Sequence, residues 1–106
     1  MKVTIIDKDL EELIFTGHNN RLRKYERNKS FMDALGRVYR IMETVQNAQG
    51  LKPYSFLHYE RLKNNADVSS VRVMNGRIER LVFRELEEGI VIELLELNSD
   101  HYGKEK

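Results

Sequence analysis

Residues 69–84 read Ser69-Ser70-Val71-Arg72-Val73-Met74-Asn75-Gly76-Arg77-Ile78-Glu79-Arg80-Leu81-Val82-Phe83-Arg84, and this stretch decides the fold. Two runs in which apolar and polar residues alternate flank Asn75-Gly76. A period of two marks a strand with one buried face. Asn-Gly between two such runs is a strong hairpin signal. The runs are residues 69–74 and 78–84. Glu88-Gly89 makes a second turn, and residues 90–97 are more continuously apolar, as expected of a buried central strand. Upstream, residues 54–62 are rich in aromatics and read as an edge strand. The second half of the chain is therefore an antiparallel meander.

The hairpin register decides where two arginines point. A two-residue Asn75-Gly76 loop pairs Arg72 with Glu79 and puts Arg72 and Arg80 on opposite faces. A three-residue loop over residues 74–76, with Gly76 in the left-handed region, pairs Arg72 with Ile78 and Ser70 with Arg80. Both arginines then share one face, and Val71, Val73, Leu81 and Phe83 share the other. The second register separates apolar from basic more cleanly and is preferred.

Toward the N-terminus, residues 3–6 read as a short strand. Asp7 caps a helix with Leu10, Leu13 and Ile14 on one face and Gly17 as its stop. Residues 17–30 are polar apart from Leu22 and Tyr25, and read as either a short exposed helix or a loop. Ser30 opens the clearest helix. Phe31, Leu35, Val38, Met42 and Val45 recur at helical spacing, widened by Ala34, Ile41 and Ala48. Gly50 and Pro53 end it. Its opposite face carries Arg37, Arg40 and Glu43. The expected fold class is α+β, with the N-terminal helices packed on one face of a twisted antiparallel sheet, and residues 1–106 form a single domain.

Composition narrows the chemistry. The 106 residues include no cysteine, which excludes disulfides, thiol nucleophiles and cysteine-ligated metal centres. The 3 histidines have no paired spacing, so neither a metal site nor a cofactor is expected. No stretch reaches the roughly 20 apolar residues of a membrane span. Residues 1–8 lack the apolar core of a secretion signal, so the expected location is the cytoplasm.

The net charge is +1, which counts against gripping nucleic acid by bulk charge. The total hides a partition. Residues 17–42 hold seven basic and two acidic side chains, residues 68–84 four and one, and residues 85–100 six acidic and none basic. Such runs solvate a surface and pair with one another, or they form a polyanion-facing surface with an acidic counterweight. On the second reading Arg37, Arg40 and Arg84 are candidate RNA contacts.

Four segments resemble the RelE/HigB superfamily of toxins from bacterial type II toxin–antitoxin systems, in its HigB-like branch. They are Leu57-His58-Tyr59-Glu60-Arg61-Leu62-Lys63, Val68-Ser69-Ser70-Val71-Arg72-Val73, Arg80-Leu81-Val82-Phe83 and Leu97-Asn98-Ser99-Asp100-His101-Tyr102. Their order and spacing carry the resemblance. It implies a microRNase-like (RelE-like) fold whose open concave sheet face is the active site. It implies a metal-independent endoribonuclease, an mRNA interferase that cuts messenger on the ribosome. The ribose 2′-hydroxyl attacks the adjacent phosphate and the 5′-oxygen leaves. It also implies a cognate antitoxin, a helix-turn-helix protein from an adjacent gene.

That reaction needs a base, positive charge for a phosphorane-like transition state, and an acid. Arg80 matches the family arginine at the scissile phosphate, Arg72 a second basic position, and Lys63 a basic residue after the first hairpin strand. The plain alternative for Arg80 is a sheet arginine paired with Glu79 or Glu96. His101 and Tyr102 are the proton-transfer candidates, with Asp100 as an orienting group; otherwise they belong to a frayed tail. His58 reads as a packed histidine rather than a catalytic one. Two other functions fit the same fold: a ParE-like gyrase inhibitor without catalysis, and a module that only binds protein.

Overall fold

The computed structural model describes residues 1–62 and 67–99. Among these, five strands form one sheet: β1 (Lys2–Ile5), β2 (Glu60–Arg61), β3 (Val68–Arg72), β4 (Arg80–Leu86) and β5 (Val91–Asn98), in the order β1-β5-β4-β3-β2. Three helices precede most of it: α1 (Lys8–Thr16), α2 (Arg23–Glu26) and α3 (Lys29–Thr44). The architecture is α+β. Strands β2 to β5 are an antiparallel meander, and β1 joins β5 in parallel at the far edge.

Helix α1 begins where Asp7 Oδ1 accepts from the backbone N–H groups of Asp9 (3.0 Å) and Leu10 (3.3 Å). It ends at Gly17, whose φ of +82° closes the last turn by donating to the Leu13 carbonyl. Helix α3 starts at Lys29, one residue before the Ser30 reading. Asn28, not Ser30, is its cap, with Oδ1 accepting from the Phe31 N–H at 3.0 Å. The helix also stops well before Gly50. Val45 is already extended, and Asn47 Oδ1 accepts from the Gly50 N–H to start a separate 3-10 turn over Ala48–Leu51. The polar segment 17–30 contains the short helix α2. Asn19 pins it: its buried amide donates to Asp9 (3.0 Å) and Glu12 (2.8 Å) and accepts from the Leu22 N–H (2.9 Å). Leu22 and Tyr25 are thereby held in the core.

The core lies between the helices and one sheet face. Phe31, Leu35, Val38 and Met42 of α3 pack with Val71, Leu81, Phe83, Ile92 and Leu94. Strand β5 carries a bulge: Val82 pairs with Glu96 but Phe83 with Leu94, which leaves Leu95 as the extra residue. The bulge turns both Leu94 and Leu97, three residues apart, toward the helices.

Residues 54–62 are not one edge strand. Ser55–Leu57 is a 3-10 turn, and only Glu60–Arg61 pairs with β3. His58 takes a left-handed conformation, with φ 47° and ψ 52°, which breaks the extended path. Truncating Phe83, fully buried at the centre of β4, is expected to cost about 3–5 kcal/mol for Phe83→Ala. Urea unfolding of the two proteins measures the loss.

Candidate active site

The β3–β4 hairpin pairs Arg72 with Arg80 and Val71 with Leu81. This differs by two residues from the Arg72–Ile78 and Ser70–Arg80 register expected above, and a shift of two preserves which face each side chain takes. The loop is correspondingly longer. Val73 donates to the Glu79 carbonyl (3.3 Å), and residues 74–77 form a turn closed from the Arg77 N–H to the Met74 carbonyl (3.2 Å). Gly76, with φ +84°, takes its third position. Asn75 keeps a negative φ, so the tight Asn-Gly hairpin does not form.

Arg72 and Arg80 therefore sit opposite each other on the face away from the helices. Because Val73–Glu79 is a hydrogen-bonded pair, Arg72–Arg80 is a non-hydrogen-bonded one, in which Cα atoms approach to roughly 4.5 Å. Arg80 is 8% exposed. Its Nε donates to Ser70 Oγ at 2.8 Å, and Nη2 donates to the His58 carbonyl. Among the described residues no carboxylate bonds to it. Burial pushes the guanidinium below its ordinary value; Glu60 opposes that shift and Arg72 adds to it. The Nε of Arg72 is buried with no hydrogen-bond partner among the described residues. Two cations thus converge on one rigid face with hydrogen-bonding capacity unspent, a geometry suited to an oxyanion or phosphate.

Neither acidic neighbour proposed for Arg80, Glu79 or Glu96, bonds to it among the described residues; Glu96 Oε2 accepts from the Asn98 amide at 3.2 Å. Glu79 lies on the core face, where it accepts two bonds from Arg77 (3.0 and 2.9 Å), and Arg77 itself stands over the Phe31 ring at 5.2 Å. Glu85 is held by Tyr59, by Ser69 (2.6 Å) and by Arg61 (3.0 Å). Arg84 shares the Arg80 face but faces Glu93 at 3.7 Å. Arg37 and Arg40 are exposed on the solvent side of α3. They belong to the helix layer, across the sheet from Arg72 and Arg80, and the fold does not bring them together with that pair. Lys63, His101 and Tyr102, with Asp100, lie outside the described residues. His58 is exposed rather than packed. Its left-handed turn keeps the ring out of the core, and its carbonyl is what meets Arg80. Ser70 and this carbonyl carried no role in the sequence reading. The only signal was a serine inside a β-branched strand. Among the described residues no three His, Asp or Glu side chains converge as metal ligands do, and no helix is long and apolar enough to cross a membrane.

No family model matches the chain, and no curated protein does either. Among solved structures it is similar to a YoeB/ParE toxin from Agrobacterium tumefaciens. The superposition has a TM-score of 0.54 at 17% identity and covers 95% of this chain and 100% of that one. The chain therefore has the RelE/ParE-like toxin fold.

Glu79 gives a pH prediction. Burial raises its pKa, but the Arg77 guanidinium, the residue's own backbone N–H and the Tyr25 hydroxyl together outweigh this and hold the carboxyl below its usual 4.5. A lowered folded pKa stabilises the fold above the unfolded value and loses that contribution as pH falls through the folded one. Glu79→Gln is expected to be less stable than wild type at pH 7 by on the order of 1–3 kcal/mol. The gap should close as the pH falls below 4.5. Thermal unfolding of both proteins across pH 2–7 checks it.

Proposed function

We propose that the chain is the toxin of a type II toxin–antitoxin system and acts as a metal-independent endoribonuclease on messenger RNA in the ribosome. One observation carries the reading: on a toxin-like fold, the buried Arg80 has only neutral hydrogen-bond partners among the described residues and stands opposite Arg72. In the reaction the 2′-hydroxyl loses its proton and its oxygen bonds to the adjacent phosphorus. The bond to the 5′-oxygen breaks, and that oxygen takes up a proton. A 2′,3′-cyclic phosphate and a 5′-hydroxyl result. Arg80 and Arg72 stabilise the extra negative charge on the phosphoryl oxygens. His101, Tyr102 and Lys63 enter this reading through the sequence resemblance alone, as proton-transfer and basic groups. Arg84 extends the basic face along β4, and Arg37 and Arg40 would meet RNA or ribosome only on the helix side. The near-zero net charge fits a protein to which the ribosome presents the substrate. Its place of action would be the cytoplasm, and its partner an antitoxin, recognisable as a small helix-turn-helix protein in the adjacent reading frame.

The structural neighbour's name joins YoeB to ParE, and this favours one second reading, a gyrase inhibitor on the same fold. Inhibition of gyrase supercoiling without messenger cleavage would support it.

On programmed ribosomes the purified protein is expected to cleave messenger. Arg80→Ala should lower the rate by about a hundredfold or more, as loss of one transition-state donor does. Intact messenger at excess protein overturns the reading, and an unchanged rate in the variant removes Arg80 from it.

A further inference from the structure

Arg80 is a long side chain with several rotatable bonds, and a phosphate-binding guanidinium works only if its fork is already aimed. We infer that Ser70 is a positioning residue that sets this aim, assisted by the His58 carbonyl. The inference deepens the proposed phosphate-binding role of Arg80 and rests on it for its catalytic meaning.

Three observations carry it. First, Ser70 is fully buried, and its hydroxyl accepts from Arg80 Nε at 2.8 Å. The register does not require this contact, because Ser70 pairs with Val82 and reaches Arg80 only diagonally. Second, Nη2 donates to the carbonyl of His58, a non-glycine residue at φ 47°. Such a conformation is sparsely populated and persists where the surroundings over-determine it. Third, those surroundings are visible on the opposite face. Tyr59, the next residue, donates its phenol to Glu85, which is also held by Ser69 and Arg61. The two adjacent serines of β3 therefore act on opposite faces. Ser69 helps anchor the strap that carries His58, and Ser70 receives Arg80. Between them, Nε and Nη2 are bound to neutral acceptors, so the guanidinium plane is set without cancelling its charge.

A carboxylate in place of Ser70 would orient Arg80 equally well but would neutralise it toward a phosphate. A hydroxyl orients and leaves the positive charge for the substrate.

The test uses the full chain, with cleavage on programmed ribosomes and the Nε–H resonance of Arg80 in arginine-labelled protein. Ser70→Ala is expected to lower turnover about tenfold or more with KM changed less than about twofold, and to move the Arg80 Nε–H signal toward the solvent-exposed position. Ser70→Thr, which keeps the hydroxyl, should restore most of both. Tyr59→Phe, which leaves Ser70 intact, should perturb the same signal through the His58 strap. It keeps the idea testable if Ser70→Ala does not fold. An Arg80 signal unmoved in Ser70→Ala overturns the inference whatever happens to turnover, because a loss of rate would then be merely structural. In Tyr59→Phe, an unmoved signal overturns the strap's part in it. Absence of messenger cleavage by wild-type protein sinks the proposed function instead, while the resonance still decides whether Ser70 sets Arg80.

Discussion

Arg72 and Arg80 face each other across β3 and β4 at a position where opposed side chains come closest. Like charges in that position destabilise a sheet, and burying one of them adds a desolvation cost. The register is nevertheless imposed, because the same pairing places Val71, Leu81 and Phe83 under the helices. Slipping β3 against β4 by one residue would put the two arginines on opposite faces and drive one of them into the core. The apolar face thus holds the basic face in place. Local devices offset the cost of the arginine pair: a serine hydroxyl, a backbone carbonyl and the nearby charge of Glu60.

The helix layer makes such a face available. Helix α3 buries its apolar stripe against one side of the sheet, and the other side carries Ser70, Arg72, Arg80 and Arg84 beside the buried Val68 and Val82. The bulge at Leu95 serves the same division. A strand with Leu94, Leu95 and Leu97 cannot alternate cleanly, and one extra residue lets the two outer leucines both face inward. Glu93 and Glu96 then fall on the side of Arg84 and Arg80, so the open face carries both signs of charge.

Net charge says little about local potential, because pairing is local. Glu79 neutralises Arg77, Glu85 holds Arg61, and Glu93 faces Arg84. Arg80 is left with neutral partners, and its charge is felt most strongly because it is least hydrated. A chain that is nearly neutral as a whole can therefore present a concentrated positive site.

Much of the fold was legible in residues alone. Asp7 and Gly17 bound α1, the α3 stripe was plain, and the strands around Asn75-Gly76 and Glu88-Gly89 followed from periodicity. These features depend on neighbours within a few residues, which sequence displays directly. The sharing of a face by Arg72 and Arg80 was legible too, because parity depends only on segregating apolar from basic. The loop length was not, since Asn-Gly is compatible with more than one turn and the choice lies with packing around Val73 and Glu79. Nor was the break at His58, where an aromatic-rich stretch looked extended but turns left-handed to meet β4. That Glu85 holds Tyr59 and Arg61, and that Ser70 and a backbone carbonyl hold Arg80, depended on contacts between residues 10 to 26 positions apart. Sequence by itself determined most of the elements and the sidedness of the sheet, because these are local. Tertiary structure decided which charges were paired and that Arg80 kept only neutral partners among the described residues, because that depends on distances that only the packed chain defines.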